Sequence, residues 1–206
     1  MQIQQIEMNR ISPHVRLACY IETTKEIYYV PWRMIYDYEF NYIVEGEIEV
    51  LTEDKSVILG AGDVHIMRPL NWHKRIAKSS HVKYYNIHFD FLKSENFVDF
   101  STYSEYVVPI NRHVKRVERN DFLSDRPIFE PIDMYLPLKN TVKEGAKYLI
   151  LLERIVERFK NKKPENELLV KADMLVLIAQ IMQENRQEVE YTPTIIWGTA
   201  TRLISF

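Results

Sequence analysis

From Tyr38 to Leu51 the chain alternates as a pair of strands should. Tyr38-Glu39-Phe40-Asn41-Tyr42-Ile43-Val44 leads into Glu45-Gly46-Glu47, and Ile48-Glu49-Val50-Leu51 follows. The glycine supplies the positive φ that a hairpin turn needs. Ile48 and Val50 alternate with Glu47 and Glu49, so one face is predicted to be buried and the glutamates to face water. Val15 to Thr23 and Ile27 to Trp32 have strand composition, and Val57-Ile58-Leu59 is a short strand. Gly60-Ala61-Gly62-Asp63 reads as a turn, and Val64, Ile66 and Met67 mark a strand that stops before Pro69. Val82 to Phe91 is a further strand. Short strands with regular turn punctuation predict a sandwich or small barrel whose inward side chains surround a cavity. Residues 1 to about 12 read as an arm. Lys93 to Asn140 is irregular, and Pro127, Pro131 and Pro137 confine any strand in Ile128 to Leu138 to a sheet edge.

After Thr141 the period changes. Val142, Ala146, Leu149, Val156 and Phe159 mark one helix face, with Tyr148, Leu152 and Ile155 beside it. Asn161-Lys162-Lys163-Pro164 ends that helix, and a second is predicted over Glu165 to Glu188. Its centre, Met174 to Met182, is apolar all round except for Gln180. Such a helix must be covered on every side, so a homodimer is predicted, with Leu175, Ile178, Ile181 and Met182 in the interface. The tail from residue 189 is irregular. The expected organisation is therefore a barrel with its arm over 1–140, a helical dimerisation element over 141–188 and a tail over 189–206.

Composition narrows the functional classes. A net charge of −2 does not mark the whole chain as a nucleic-acid binder. Arg112, Lys115, Arg116 and Arg119 form a local basic cluster, but Glu118 and Asp121 dilute it, which favours a solvated loop. The single Cys19 excludes an internal disulfide framework and a cysteine-based zinc site. Neither a leader-like apolar segment near Met1 nor an apolar run long enough to span a bilayer is present, so a cytoplasmic protein is expected. No Ser-His-Asp arrangement and no phosphate-binding glycine loop is visible. On Tyr84 to Asp90, period 2 puts Tyr84, Asn86, His88 and Asp90 on one face and Tyr85, Ile87, Phe89 and Phe91 on the other. The first face is either solvated or the polar, aromatic wall of a pocket.

These segments resemble the N-terminal regulatory domain of AraC-type transcription regulators. That domain is a cupin-like barrel (a double-stranded β-helix, or jelly roll) followed by a two-helix dimerisation element, mainly β with α. The matching features are Arg33, Asp37-Tyr38-Glu39 leading to Val44-Glu45-Gly46-Glu47, and the Gly62-Asp63, Pro69, His73 run. Ile87-His88-Phe89, the proline-flanked Ile128 to Leu138 and the paired helices also fit, so the resemblance covers about residues 10 to 188. It implies a ligand-sensing, dimeric, non-enzymatic domain whose effector is a carbohydrate or related polar metabolite. DNA would be contacted only through a C-terminal domain for which Glu188 to Phe206 carries no helix-turn-helix pattern.

The resemblance also assigns candidate ligand contacts: Arg33, where relatives often place a ligand-contacting arginine, Tyr84 and Asn86 on the cavity strand, and with them His88 and His73. Each has a plainer reading: an ion pair of Arg33 with Glu39 or Asp37, a turn-end His73 bonded to backbone, and packing for Trp32 and Trp72. Metal-dependent cupin enzymes use a His-x-His pair, a nearby Glu and a later His. Here the corresponding strand reads Glu39-Phe40-Asn41-Tyr42, so no metal and no other cofactor is expected. The alternatives are a small cupin enzyme, an isomerase or dioxygenase, and a dimerisation module without a ligand.

Overall fold

The computed structural model describes residues 3–24, 28–93, 127–132 and 134–190. The basic cluster at 112–119 and the tail from 191 lie outside them.

Eleven strands and two long helices are present among the described residues. The strands are β1 (Ile3–Ile6), β2 (His14–Thr24), β3 (Tyr29–Arg33), β4 (Tyr38–Glu45), β5 (Ile48–Thr52), β6 (Ser56–Leu59), β7 (Asp63–Met67), β8 (His73–Ala77), β9 (His81–Asp90), β10 (Ile128–Pro131) and β11 (Lys139–Thr141). The helices are α1 (Gly145–Lys160) and α2 (Pro164–Glu190). One sheet has the order β11-β7-β4-β9-β2 and the other β3-β8-β5-β6. The two are not hydrogen-bonded into a closed barrel, so the architecture is a sandwich. Within the segment read as an arm, β1 pairs in parallel with β10, Ile3 opposite Ile128, in a separate two-stranded sheet. This places the proline-flanked segment at a sheet edge, where a missing N–H is tolerated.

Register decides what the sandwich encloses. Glu39 lies opposite His88 on one side and Met67 on the other, and Asn41 lies between Asn86 and His65. The alternate row, Tyr38, Phe40 and Tyr42, aligns with Phe89, Ile87 and Tyr85. That second row joins Tyr148, Leu152, Ile155, Met174 and Leu177 in the larger core, between the five-stranded sheet and the helices. The smaller core, with Ile43, Ile48, Val50, Leu59, Met67, Ala77 and Val82, fills one part of the space between the sheets. The rest of that space is polar.

Turn chemistry holds these registers. Gly46 has φ +81°, and a Cβ there would stand 2.1 Å from the His81 carbonyl oxygen, so only glycine fits the β4–β5 turn. At the next turn Asp63 accepts hydrogen bonds from the Gly60 N–H at 2.7 Å and from Thr141 Oγ1 at 2.5 Å, and it pairs with Lys139 at 2.8 Å. That carboxylate clips β11 onto β7.

α1 ends and α2 begins where the sequence breaks, at Asn161 to Pro164. Pro164 opens α2, and Glu165 and Glu167 lie in its first turn, as the dipole favours. The buried face of α1 is Tyr148, Leu151, Leu152, Ile155 and Val156. It is rotated from the predicted one: Ala146 is exposed and Leu149 half-buried. Tyr148 sets the rotation by stacking on Tyr42, centroids 6.1 Å apart and planes 9° apart. On α2, Val170, Met174, Leu177, Ile178 and Ile181 face the core. Ile178 and Ile181 are thus covered by their own chain, which removes them from the interface expected of them, whereas Leu175 is exposed and Met182 half-buried.

Candidate functional site

The polar half of the sandwich interior is built by β4 and β9 from one sheet and by β3 and β8 from the other. Its centre is Glu39, with no exposed surface. Arg75, from β8, crosses the gap: Nη2 donates to Glu39 Oε1 at 2.5 Å and Nη1 to Asn41 Oδ1 at 3.1 Å. From β3, Arg33 Nη2 donates to Glu39 Oε2 at 3.2 Å. Asn86 Nδ2 donates to Glu39 Oε1 at 2.6 Å and to Asn41 Oδ1 at 2.9 Å. His88 stands between two carboxylates, with Nδ1 3.1 Å from Asp37 Oδ1 and Nε2 3.4 Å from Glu39 Oε1. Asp37 in turn faces Arg16 at 3.7 Å, and Arg16 lies 4.0 Å from Asp90. Three guanidiniums (Arg16, Arg33, Arg75) therefore meet three carboxylates (Asp37, Glu39, Asp90), and His88 adds the variable charge.

Electrostatics fix the protonation states. Burial alone would push the Glu39 carboxyl up, but Arg75, Arg33 and His88 reverse this and hold it well below the usual carboxylate range. Burial works against a charged His88, yet Asp37 and Glu39 outweigh it and raise its pKa. His65 and His73 go the other way, to about 3 each. Burial is the main cause for both, reinforced by Arg75 at His65 and by Arg33 at His73. Neutral His73 accepts from Arg33 Nε through Nε2 at 3.3 Å, so its Nδ1–H donates to the Asn71 carbonyl at 3.0 Å. The turn before it places Leu70 at φ 69°, held by its N–H on the Ile35 carbonyl at 2.8 Å.

Two donors beside Asn41 are left over, and Tyr28 Oη and Asp37 Oδ2 are further interior atoms without a hydrogen-bond partner among the described residues. Asn41 Nδ2 lies 3.4 Å from His65 Nδ1, which makes that nitrogen the acceptor and puts the proton on Nε2. His65 Nε2 and Arg75 Nε are both buried without a hydrogen-bond partner among the described residues. A buried donor left unpaired costs about 1–3 kcal/mol, so this interior favours a guest that brings acceptor oxygens.

Of the residues singled out from sequence, Arg33, His73, Asn86 and His88 converge on Glu39. Tyr84 shares their face but stands toward the apolar end, its ring 5.7 Å from that of Tyr28. Burial and the neighbouring Tyr28 hold the Tyr84 hydroxyl protonated. Trp32 lies under the Lys74 amine, 5.6 Å from its ring centroid. Burial pushes the Cys19 thiol up to about 11, which makes it unreactive. Sequence reading missed Glu39 as the hub, and it gave Arg75 and Asn41 no part in the site. A period-2 reading of His73-Lys74-Arg75-Ile76-Ala77 carries the signal: it puts Arg75 on the face of Ala77.

Metal-cupin chemistry does not fit these residues. Glu39, the one carboxylate at the centre, is already held by two guanidiniums, which would repel a divalent cation at that position. Among the described residues no group of three or more His, Cys, Asp or Glu side chains is arranged to hold a metal ion.

Two facing antiparallel sheets, with helices on the outside of the larger, define a mainly β, cupin-like sandwich. Residues 10–91 match the family model of the ethanolamine utilisation protein EutQ, which is less than half of the chain. Solved structures are similar to part of the chain at low identity. An ethanolamine utilization protein Q of Salmonella typhimurium LT2 is 21% identical over 35% of this chain and 55% of its own, with a TM-score of 0.31. A predicted oxalate decarboxylase of Thermotoga maritima is 20% identical over 36% and 65%, with a TM-score of 0.33. A cupin-2 domain containing protein of Shewanella frigidimarina is 20% identical over 37% and 78%, with a TM-score of 0.31. The chain thus spans 55% and 65% of the first two relatives. No curated protein matches the chain. No helix among the described residues is long and apolar enough to cross a membrane.

Proposed function

We propose that this chain is the effector-sensing and dimerisation domain of a cytoplasmic AraC-type transcription regulator, acting by binding and not by catalysis. Its effector is a small, hydroxyl-rich molecule of carbohydrate type, held in the polar half of the sandwich. DNA is contacted through helix-turn-helix units C-terminal to this domain. The observation that carries the reading is the pair of unpartnered donors, His65 Nε2 and Arg75 Nε, in an interior already lined by Asn41, Asn86 and His88. Hydroxyl and ring oxygens satisfy such donors without adding charge to a network whose carboxylates and guanidiniums are balanced.

The dimer rests on α2. Leu168, Ala172, Leu175 and Ala179 are exposed at spacings of four, three and four, the seam of a two-helix coiled coil, with Leu169 and Val176 beside them. Leu168 is 69% and Val176 47% exposed, a large apolar surface to leave in water. A second copy of the same helix covers both seams with one two-fold contact. An effector that binds one dimer arrangement more tightly would then shift the population toward it.

A thermal-shift screen of neutral sugars, polyols and sugar acids tests the effector reading. One neutral hydroxyl-rich compound should raise the melting temperature with saturation, and His65→Phe should abolish the rise. A screen in which no such compound shifts the native protein, or in which the shift survives His65→Phe, overturns it.

A further inference from the structure

A second concavity lies on the opposite side of the sheet from the polar interior, where the start of β2 meets the α1–α2 turn. It encloses about 550 Å³, within the range of small-molecule sites. Its charge is one-sided. Lys162, Lys163 and Lys171 line it with no carboxylate within salt-bridge distance among the described residues. Arg158 also lines it but pairs with Asp173, which it shares with Arg154, and the one acid in the lining is Glu167. The whole chain carries −2, so this positive charge is a local concentration. The floor is apolar: Val15 and Val170 are buried and Phe159 half-buried.

From this groove we infer a binding site for a small organic phosphate carrying at least two negative charges. Three neighbouring amines with one facing carboxylate leave an excess that a single charge does not balance. A concave site with an apolar floor suits a compact ligand with a ring or short chain against Phe159, not an extended polyanion. Arg16 also lines the groove, buried and facing Asp37 at 3.7 Å, and Asp37 contacts His88. An anion here therefore lies one ion pair from the interior network, and the site is separate from the effector cavity proposed above.

Titration calorimetry on the full chain tests it, with adenosine diphosphate, inorganic pyrophosphate, adenosine and a short DNA duplex as probes. Adenosine diphosphate should bind one per chain and more tightly than pyrophosphate, and adenosine should not bind. The triple variant Lys162→Gln, Lys163→Gln, Lys171→Gln should weaken that binding by about ten-fold or more, while Lys147→Gln on α1 leaves it unchanged. The variants are at exposed or half-exposed positions, and unchanged melting temperatures would show that folding is intact. No binding of either phosphate probe, equal binding by the triple variant, or preference for the duplex over adenosine diphosphate would overturn the inference. None of these outcomes bears on the sugar screen, which probes the other face of the sheet.

Discussion

At the scale of single residues, the sandwich interior is organised by one carboxylate that cannot be solvated. Glu39 is tolerable there because Arg75 and Arg33 approach it from the opposite sheet, and Asn86 and His88 from its own. Replacing Arg75 by Met keeps the bulk and removes the charge, leaving a buried carboxylate short of its closest partner. The cost should be about 3–5 kcal/mol in urea unfolding. The double variant Glu39→Gln, Arg75→Met should recover a large part of it, since removing both members of a buried pair is far cheaper than removing one. A single-variant loss under about 1 kcal/mol would mean that Glu39 is solvated or protonated in the native state. Sequence made half of this legible. Asn86 and His88 were readable because Tyr85, Ile87 and Phe89 alternate with them as an apolar row. Glu39 and Arg75 were not, because their partnership links positions far apart in the chain. A charge on a strand reads as outward unless its counter-charge is known.

At the scale of elements, the strands were the more legible part and the helix faces the less. Strand pattern is binary, so Gly46 and the flanking alternation settle which residues face inward. A helix stripe turns through intermediate angles, and on α1 the deciding contact is the Tyr148–Tyr42 stack, which no local pattern encodes. On α2 nearly every central position is apolar, so sequence could say that two surfaces need cover but not which residues belong to which. The structure divides them: Met174, Leu177, Ile178 and Ile181 inside, Leu168, Leu169, Leu175 and Val176 outside. Substitutions should therefore separate into two kinds. Leu175→Glu or Val176→Glu should convert a dimer to a folded monomer in sedimentation, with the circular dichroism spectrum unchanged. Ile178→Glu should unfold the domain, because burying that carboxylate has no compensating partner. A wild-type chain that sediments as a monomer at every concentration would remove α2 from the dimer.

At the scale of the whole molecule, the titrating groups of the interior predict how stability follows pH. His65 and His73 are neutral in the native state down to about pH 3, but in the unfolded chain they protonate near 6.5. Their native pKa values are depressed, so unfolding takes up protons and acid favours the unfolded chain. One proton each makes two, or a slope of up to about 2.7 kcal/mol per pH unit as pH falls below 6.5. Glu39, depressed as well, adds to the loss once pH drops below its ordinary value of 4.5. His88 has the opposite sign. Its native pKa lies above 6.5, so its contribution is complete below 6.5 and is lost as pH rises through the native value. The two trends cross, and stability should peak near pH 6.5, falling more steeply on the acid side because two imidazoles act there against one on the alkaline side. Calorimetric melting between pH 4 and 9 checks this, with His65→Gln as the partner measurement. The variant should lose about half of the acid slope between pH 6.5 and 5 and none of the alkaline one. A melting temperature that stays level or rises as pH falls from 6.5 to 5 would show that these two imidazoles are hydrated in the native state and take up protons there as they do in the unfolded chain.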